Sequence, residues 1–195
     1  MAFMTTVLAA SLALTPGLST LSTTDSTSPI DGTQTGAVTV VETFRAAAGA
    51  GYGAVTYDPG SVPLGSHVTV RERTSDRGTW FELRLVGVQA NRTFGAHVHQ
   101  QPCGDSATSG GGHYQNVKDP VLPSVDPAYA NALNEAWLDL TTDAHGNGRS
   151  ETSVRWRVRA GEARSIVVHE HATDTRPGHA GTAGGRLACV SVPFV

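Results

Sequence analysis

The chain has 195 residues and a formal net charge of −3 at pH 7, with 14 Lys and Arg against 17 Asp and Glu. Domains that bind nucleic acid carry a basic patch, so this balance argues against a nucleic acid partner. Glycine is abundant and charged residues make up 16% of the chain, which is typical of a loop-rich β protein rather than a helix bundle. The length suits one domain of about 150 residues plus a leader.

The N-terminal residues indicate export. An apolar run at residues 7–14 is followed by small and polar residues, which predicts a signal peptide over residues 1–18 and a secreted or cell-envelope location. No Lys or Arg precedes this run, so a disordered tail is the alternative. Residues 19–36 are rich in Ser and Thr and predict a flexible spacer, which leaves residues 37–195 as the folded domain. No other apolar stretch approaches the roughly 18 residues that span a bilayer, so no membrane span is predicted.

Strand candidates are recognised by apolar residues at every second position. In one of them Val154, Trp156 and Val158 alternate with arginines, as expected for a strand with one buried and one wet face. A turn at residues 76–78 predicts a hairpin between two candidates. In chain order the candidates are residues 38–44, 53–58, 67–74, 79–89, 93–100, 135–143, 150–159, 164–171 and 186–194.

Eight or nine strands without a convincing helix predict an all-β domain, built as a Greek-key sandwich or flattened barrel. Two connections are long, at residues 101–134 and 172–185. Structureless loops of this length in a compact domain are usually functional. Both adjoin histidines, so we expect them to border a functional site.

Four histidines are the candidate metal ligands. His97 and His99 are spaced i, i+2 on a predicted strand, so both imidazoles project from the same face and can bind one ion. His113 follows three glycines, where a flexible backbone can bring its ring close to another element. His169 lies in a predicted strand after apolar residues. Four imidazoles suit copper in a tetragonal arrangement, although zinc and nickel also accept imidazole.

The chain contains two cysteines, Cys103 and Cys189. In an exported protein an even number of cysteines argues for a disulfide. Closing a loop of about 85 residues would stabilise the fold by roughly 4 to 5 kcal/mol in the chain-entropy model.

Five motifs occur in a known order: GAHVH, a cysteine, GGHY, VVHEH and GGRLAC. In this combination the chain resembles the Cu,Zn superoxide dismutases over roughly residues 37–195. The resemblance implies an eight-stranded Greek-key barrel with two long functional loops. It also implies that the family's copper ligands and disulfide correspond to residues already singled out above.

The resemblance gives individual residues a role. His97 and His99 correspond to the first two copper ligands, His113 to the histidine that bridges copper and zinc, and His169 to the last copper ligand. Cys103 and Cys189 correspond to the family's disulfide. Arg186, in the GGRLAC motif, corresponds to the arginine that guides and binds the superoxide anion.

The chain departs from the family pattern at the zinc site. That site needs two further histidines and an aspartate after the bridging histidine, but residues 114–134 contain no His or Cys. Thr173 stands where the family usually has the aspartate that links the two metal sites. The chain is therefore similar to the copper-only branch of the family, with one copper ion per chain and no zinc expected.

Without zinc, the distal nitrogen of His113 needs another partner to hold its tautomer and orientation. Glu135 and Asp139 share one face of a predicted strand near the expected zinc position, and we rank Glu135 first. The alternative is that both carboxylates are solvated charges at the edge of the sheet.

The resemblance implies dismutation of superoxide to dioxygen and hydrogen peroxide. In that scheme copper cycles between Cu(II) and Cu(I), His113 carries a proton to the outgoing peroxide, and Arg186 attracts the anion. The rival hypothesis is a copper-binding or scavenging protein with little or no turnover, and a weaker one is an envelope scaffold with an accidental metal site. Arg186 favours the enzyme, because a storage site has no need of an anion guide. A monomer is slightly favoured over an oligomer.

Overall fold

A computed structural model describes residues 32–47 and 53–195 of the protein. The predicted signal peptide and most of the predicted spacer lie outside these residues. The described residues form ten strands in chain order and no helix, so none of them forms a helix long and apolar enough to cross a membrane. The strands are β1 (Gln34–Thr43), β2 (Arg45–Ala46), β3 (Ala54–Thr56), β4 (His67–Ser75), β5 (Gly78–Val86), β6 (Thr93–His99), β7 (Leu140–Thr141), β8 (Gly148–Val154), β9 (Ser165–His169) and β10 (Arg186–Ser191).

The strands form two sheets. One has four strands in the order β1-β4-β5-β8, and the other has six in the order β2-β3-β10-β9-β6-β7. All neighbouring strands are antiparallel except β2 and β3, which are parallel. Consecutive strands fall in different sheets at several points, so the chain crosses repeatedly from one sheet to the other. This confirms the predicted all-β class.

The hydrophobic core lies between the sheets, and strand alternation explains it. Every second residue of a strand faces the same side. In β5 the inward residues are Phe81, Leu83 and Leu85, and all three are fully buried. The six-stranded sheet contributes a matching set of buried residues, among them Phe94, Ala96, Val98, Ile166 and Val168.

The predicted hairpin at residues 76–78 joins β4 to β5, with Ser75 paired to Gly78. Gly78 has a φ of 143°, and a Cβ atom there would lie 2.0 Å from the carbonyl oxygen of Val154 in the neighbouring strand β8. A side chain is excluded at this position, so only glycine allows β8 to approach the turn.

Three predicted boundaries are wrong. The first strand begins at Gln34, inside the predicted spacer, because Gln34–Gly36 continue the pairing with β4. The predicted strand at residues 135–143 is reduced to β7, although the residues before it still run along β6 through hydrogen bonds such as Leu138 N–H to the Ala96 carbonyl at 2.7 Å. The predicted strand at residues 150–159 ends at Val154, yet the alternating burial continues to Val158.

The chain forms ten strands where eight or nine were predicted, because β2 and β7 are pairs of residues too short to show a period. Among the described residues no strand ladder joins the two sheets into a closed barrel. Of the two predicted architectures, the sandwich is the better description.

Candidate metal centre

His97, His99, His113 and His169 form one cluster on the outer side of the six-stranded sheet. One nitrogen from each ring can be chosen so that all four lie within 4.8 Å of one another. His97, His99 and His169 are buried, whereas the side chain of His113 is 18% exposed. Within the described part of the chain this is the one group of three or more His, Cys, Asp or Glu that could hold a metal ion.

The strands explain why three of the rings meet. Phe94, Ala96 and Val98 of β6 point into the core, so His97 and His99 point to the opposite face. His169 ends strand β9 and is paired with Gly95 of β6. These residues lie on neighbouring strands, so their rings emerge side by side.

Gly95 makes room for the loop that covers the cluster. A Cβ atom at this position would lie 2.5 Å from the His171 carbonyl oxygen and 2.7 Å from the Ala183 Cβ. Both neighbours belong to the connection between β9 and β10. A side chain at Gly95 would therefore push this loop away from the histidines.

His113 reaches the cluster from the long connection between β6 and β7. Its backbone forms an isolated antiparallel bridge with His99, and the next residue, Tyr114, donates its N–H to the Val98 carbonyl at 2.8 Å. The long connection thus follows β6 as a short extra strand. The ring of His113 lies 4.1 Å from that of His97, measured between centroids.

Hydrogen bonds assign the ring nitrogens of His97. The Thr173 hydroxyl donates to Asp139 Oδ1 at 2.7 Å, so toward His97 Nε2, 2.6 Å away, it can only accept. Nε2 of His97 therefore carries the hydrogen, and Nδ1 is left with a lone pair. Nδ1 is buried and has no hydrogen-bond partner. A buried polar atom without a partner is costly, and a metal ion in the cluster would satisfy it.

The same reasoning applies to two more rings. His99 Nδ1 donates to the Gly111 carbonyl at 3.1 Å, since a carbonyl can only accept, and this leaves Nε2 with a lone pair. His99 Nε2 lies 3.3 Å from His169 Nε2, so these two nitrogens face the same small space. His113 Nδ1 donates to Glu135 Oε2 at 2.7 Å, which leaves its Nε2 free.

The electrostatics keep the buried rings neutral. Burial lowers the pKa of His97 and of His99 well below the usual value, and repulsion from the nearby His113 adds to this effect. Burial, and to a smaller extent repulsion from His113, lowers the pKa of His169 to about 3, although a hydrogen bond with the Gly184 backbone acts in the opposite direction. Neutral imidazoles are the form that binds metal ions.

Glu135 lies at the predicted position beside His113, and its carboxylate has two further partners. The Trp137 indole N–H donates to Oε2 at 2.7 Å, and the Gln115 amide donates to Oε1 at 2.8 Å. Sequence reasoning identified neither Gln115 nor Trp137. Each stands two residues after a residue that it did identify, His113 and Glu135, so the alternation of an extended chain could have indicated both.

Asp139, the second of the two candidates, does not contact His113. Its Oδ2 accepts the Thr173 backbone N–H at 2.7 Å, and its Oδ1 accepts both the Thr173 hydroxyl and the Ala96 N–H. Four residues of extended chain span about 13 Å, so Glu135 and Asp139 reach different histidines. Asp139 supports His97 through Thr173, the residue that stands where the family usually has an aspartate.

Cys103 and Cys189 form a disulfide with an S–S distance of 2.03 Å. It ties the start of the long connection to β10. The same connection holds Arg186, whose guanidinium donates to the Gly111 carbonyl at 2.7 Å and to the Ala107 carbonyl at 3.3 Å. Gly111 therefore contacts both Arg186 and His99, which sets the arginine beside the cluster.

A cavity of about 710 Å³ opens over the cluster. His113, His169 and Arg186 line it, and so does a short run of the long connection that includes the apolar residues Leu122 and Pro123. A small anion that enters this cavity would meet a positive charge beside two of the four histidines.

The fold and the site define a class of protein: a disulfide-bonded β sandwich with a cluster of four imidazoles that could hold a metal ion and an arginine beside it. Residues 65–192 match the family model for copper/zinc superoxide dismutase. The chain belongs to this family.

One solved structure supports the fold, and two others are similar at a lower level. The Cu/Zn superoxide dismutase from Brucella abortus superposes with a TM-score of 0.53 at 21% identity, covering 81% of this chain and 99% of that chain. A SOD-like protein from Bacillus subtilis gives a TM-score of 0.47 at 14% identity, covering 65% of this chain and 89% of that chain. A double mutant of the Bacillus protein gives 0.48 at 18% identity, covering 67% and 92%. A search of curated proteins finds no match.

Proposed function

We propose that this protein is a copper-only superoxide dismutase that acts outside the cytoplasm. The observation that carries the proposal is a cluster of four imidazoles beside a cavity whose wall holds two of them, His113 and His169, together with Arg186. Membership of the family supports superoxide as the substrate. The predicted export leader and the disulfide support a location in an oxidising compartment.

His97, His99, His113 and His169 would hold the copper ion. When bound, copper supplies the one-electron chemistry that takes superoxide to dioxygen and to hydrogen peroxide. The orphaned His97 Nδ1 and the free Nε2 atoms of His99 and His113 fit this ion, because imidazole nitrogens are ligands that copper accepts. The links from His97 to Thr173 and from His113 to Glu135 hold the rings in the tautomers that the site needs.

His113 is the residue suited to handle protons. It is the most exposed ring of the four and lies on the cavity wall, so a proton from solvent can reach it. Glu135 accepts a hydrogen bond from Nδ1–H, so a second proton would be held on Nε2, which faces the cluster. The contact with Glu135 also fixes the direction in which Nε2 points, so a proton held there would be delivered toward the cluster.

Arg186 supplies the positive charge that attracts the anion. Two backbone carbonyls hold the guanidinium, so it is positioned before the substrate arrives. A charge of this kind in a cleft raises the association rate of an anion, and salt weakens the effect.

The contact between His113 and Glu135 supports the absence of zinc. In the family pattern the distal nitrogen of the bridging histidine faces zinc, but here Glu135 Oε2 lies 2.7 Å from that nitrogen. Within residues 32–47 and 53–195 no second group of His, Cys, Asp or Glu is arranged to hold a metal ion. A zinc ion bound to that nitrogen would have to take the place of its hydrogen bond to Glu135.

The test is superoxide consumption by purified, copper-loaded protein at several salt concentrations. We expect fast, salt-sensitive consumption, and Arg186→Gln should lower the rate at least about ten-fold and reduce its salt dependence. Arg155→Gln, which removes an exposed arginine after β8, is the matched control and should have no such effect. Copper binding without superoxide consumption would reject the dismutase and favour a copper-binding or scavenging protein.

A further inference from the structure

A closed ring of hydrogen bonds joins Gln115, Asp119 and Ser124. This ring lies beside Glu135, the hydrogen-bond partner of His113. We propose that Gln115 is a positioning residue, which couples the wall of the cavity to His113 through the Glu135 carboxylate. The inference rests on the proposed function only in assigning a task to His113. The coupling itself concerns contacts within this chain.

The orientation of the Gln115 amide follows from its partners. Oε1 accepts the Asp119 backbone N–H at 2.9 Å, and a backbone N–H can only donate. The NH2 group must therefore point the other way, toward Ser124 Oγ at 2.9 Å and Glu135 Oε1 at 2.8 Å. Both amide hydrogens and the amide oxygen are in use, so any rotation of this buried group breaks a hydrogen bond.

The rest of the ring holds the loop. The Ser124 hydroxyl donates to Asp119 Oδ2 at 2.7 Å, and Asp119 Oδ1 accepts the Val121 N–H at 2.8 Å. Asp119 is only 8% exposed, so its carboxylate depends on these donors. Residues 119–124 are thus held in place by hydrogen bonds of the Asp119 and Ser124 side chains, and both residues bond to the Gln115 amide.

Glu135 is the other end of the coupling. Its side chain is almost fully buried, and three donors fix it: Gln115 on Oε1, and His113 and Trp137 on Oε2. If the bond from Gln115 is lost, Oε1 has no partner in a buried position, and the carboxylate is free to turn about its last torsion. Such a turn moves the acceptor away from His113 Nδ1.

The segment that Gln115 holds is also a wall of the cavity. Leu122, Pro123, Ser124 and Val125 line it together with His169 and Arg186. A shift of this wall strains the bond from Gln115 to Ser124, and the strain passes to Glu135 because the same amide group contacts both. Gln115 therefore connects the shape of the substrate cavity to the residue that handles protons.

Trp137 provides a direct reporter, because its indole N–H donates to the same oxygen as His113. The measurement is hydrogen exchange of the three tryptophan indoles by NMR, in metal-free and in Cu(I)-loaded full-length protein. Gln115→Met keeps the length of the side chain and removes its polar atoms. We expect the Trp137 indole to shift and to exchange about five-fold faster, as for the loss of one typical hydrogen bond.

Ser124→Ala should act in the same direction with a smaller change, because it breaks the ring but leaves the bond from Gln115 to Glu135. Gln34→Met, on the exposed start of β1, is the matched control and should leave Trp137 unchanged. The Trp156 indole, which donates to the Leu133 carbonyl, reports general loosening. In active enzyme, Gln115→Met should also lower the rate at high pH more than at neutral pH.

An unchanged Trp137 signal in Gln115→Met overturns the coupling, and so does an equal change in the Trp156 signal, since that indicates general loosening. Both readouts are independent of turnover. If the protein does not consume superoxide, the proposed function fails while the coupling is still measured. If it does consume superoxide and the Trp137 signal does not respond, the coupling alone fails.

Discussion

Replacing Glu135 by Gln tests the site most sharply, because the carboxylate has donors on both oxygens. Oε2 accepts from His113 and Trp137, and Oε1 accepts from Gln115. A glutamine amide offers one oxygen and one NH2 group. If the oxygen of the new glutamine takes the place of Oε2, its NH2 group faces the NH2 group of Gln115. In the reverse orientation its NH2 group faces the N–H donors of His113 and Trp137. Either orientation loses at least one hydrogen bond.

The size of the effect follows from these contacts. A hydrogen bond to a charged group contributes about 1.5–3 kcal/mol, against a typical total stability of about 5–15 kcal/mol, so Glu135→Gln should fold with a lower melting temperature. Loss of a partner that orients a metal-binding histidine typically costs about 10-fold to 100-fold in affinity or activity. Because Glu135 orients the ring from which His113 would deliver a proton, we expect the activity loss to be largest at high pH, where protons are scarce.

The assay is the rate of superoxide consumption from about pH 6 to pH 10, with copper binding measured by competition titration. Glu151→Gln is a matched control, because Glu151 also accepts a tryptophan indole N–H, from Trp80 at 3.2 Å, but lies on the four-stranded sheet. It should leave the pH profile unchanged. If copper-loaded Glu135→Gln keeps wild-type rates over the whole range, the role given to Glu135 is refuted.

Three further predictions concern stability and copper affinity. In metal-free protein, burial followed by repulsion from His113 holds the folded-state pKa values of His97, His99 and His169 below the unfolded value of about 6.5, so stability is lost as pH falls below 6.5. His169, whose pKa is lowered to about 3, contributes about 2 kcal/mol of this loss at pH 5. Urea unfolding at pH 7.5 and pH 5 measures this loss, and equal stabilities would contradict it. Alkylation of native protein should label neither Cys103 nor Cys189, and reduction should lower stability by about 4 to 5 kcal/mol; labelling of both thiols in native protein would remove the disulfide. Thr173→Val keeps the shape but breaks the link from Asp139 to His97, so copper affinity should fall by about 10-fold to 100-fold. Thr175→Val, an exposed neighbour, is the control, and equal affinities for both variants would remove Thr173 from the support of the site.

Local patterns predicted the strands that carry the site. Alternation placed His97 and His99 on one face of a strand, and that face is where the four histidines meet. It also described the burial of Val154 and Val158, because which face a residue occupies depends only on its neighbours in the chain. Strand β8 ends at Val154 because its pairing with β5 ends there. Pairing is a long-range property that the local pattern does not contain.

Contacts across the long connection were harder to predict. Glu135 and Asp139 have the same charge and share a face, and their position along the strand decides which histidine each one supports. Gln115 has no distinguishing sequence pattern, since its role comes from a loop that folds back to place Ser124 beside it. The link from Thr173 to His97 joins residues 76 positions apart.

We propose that four imidazoles hold one copper ion and that Glu135 occupies the side of His113 where the family holds zinc. Elemental analysis of purified protein, loaded with copper and zinc together and then freed of loosely bound metal, tests it directly. We expect one copper and no zinc per chain. Stoichiometric zinc beside copper would contradict it, because Glu135 would then have given up its place to a second metal ion.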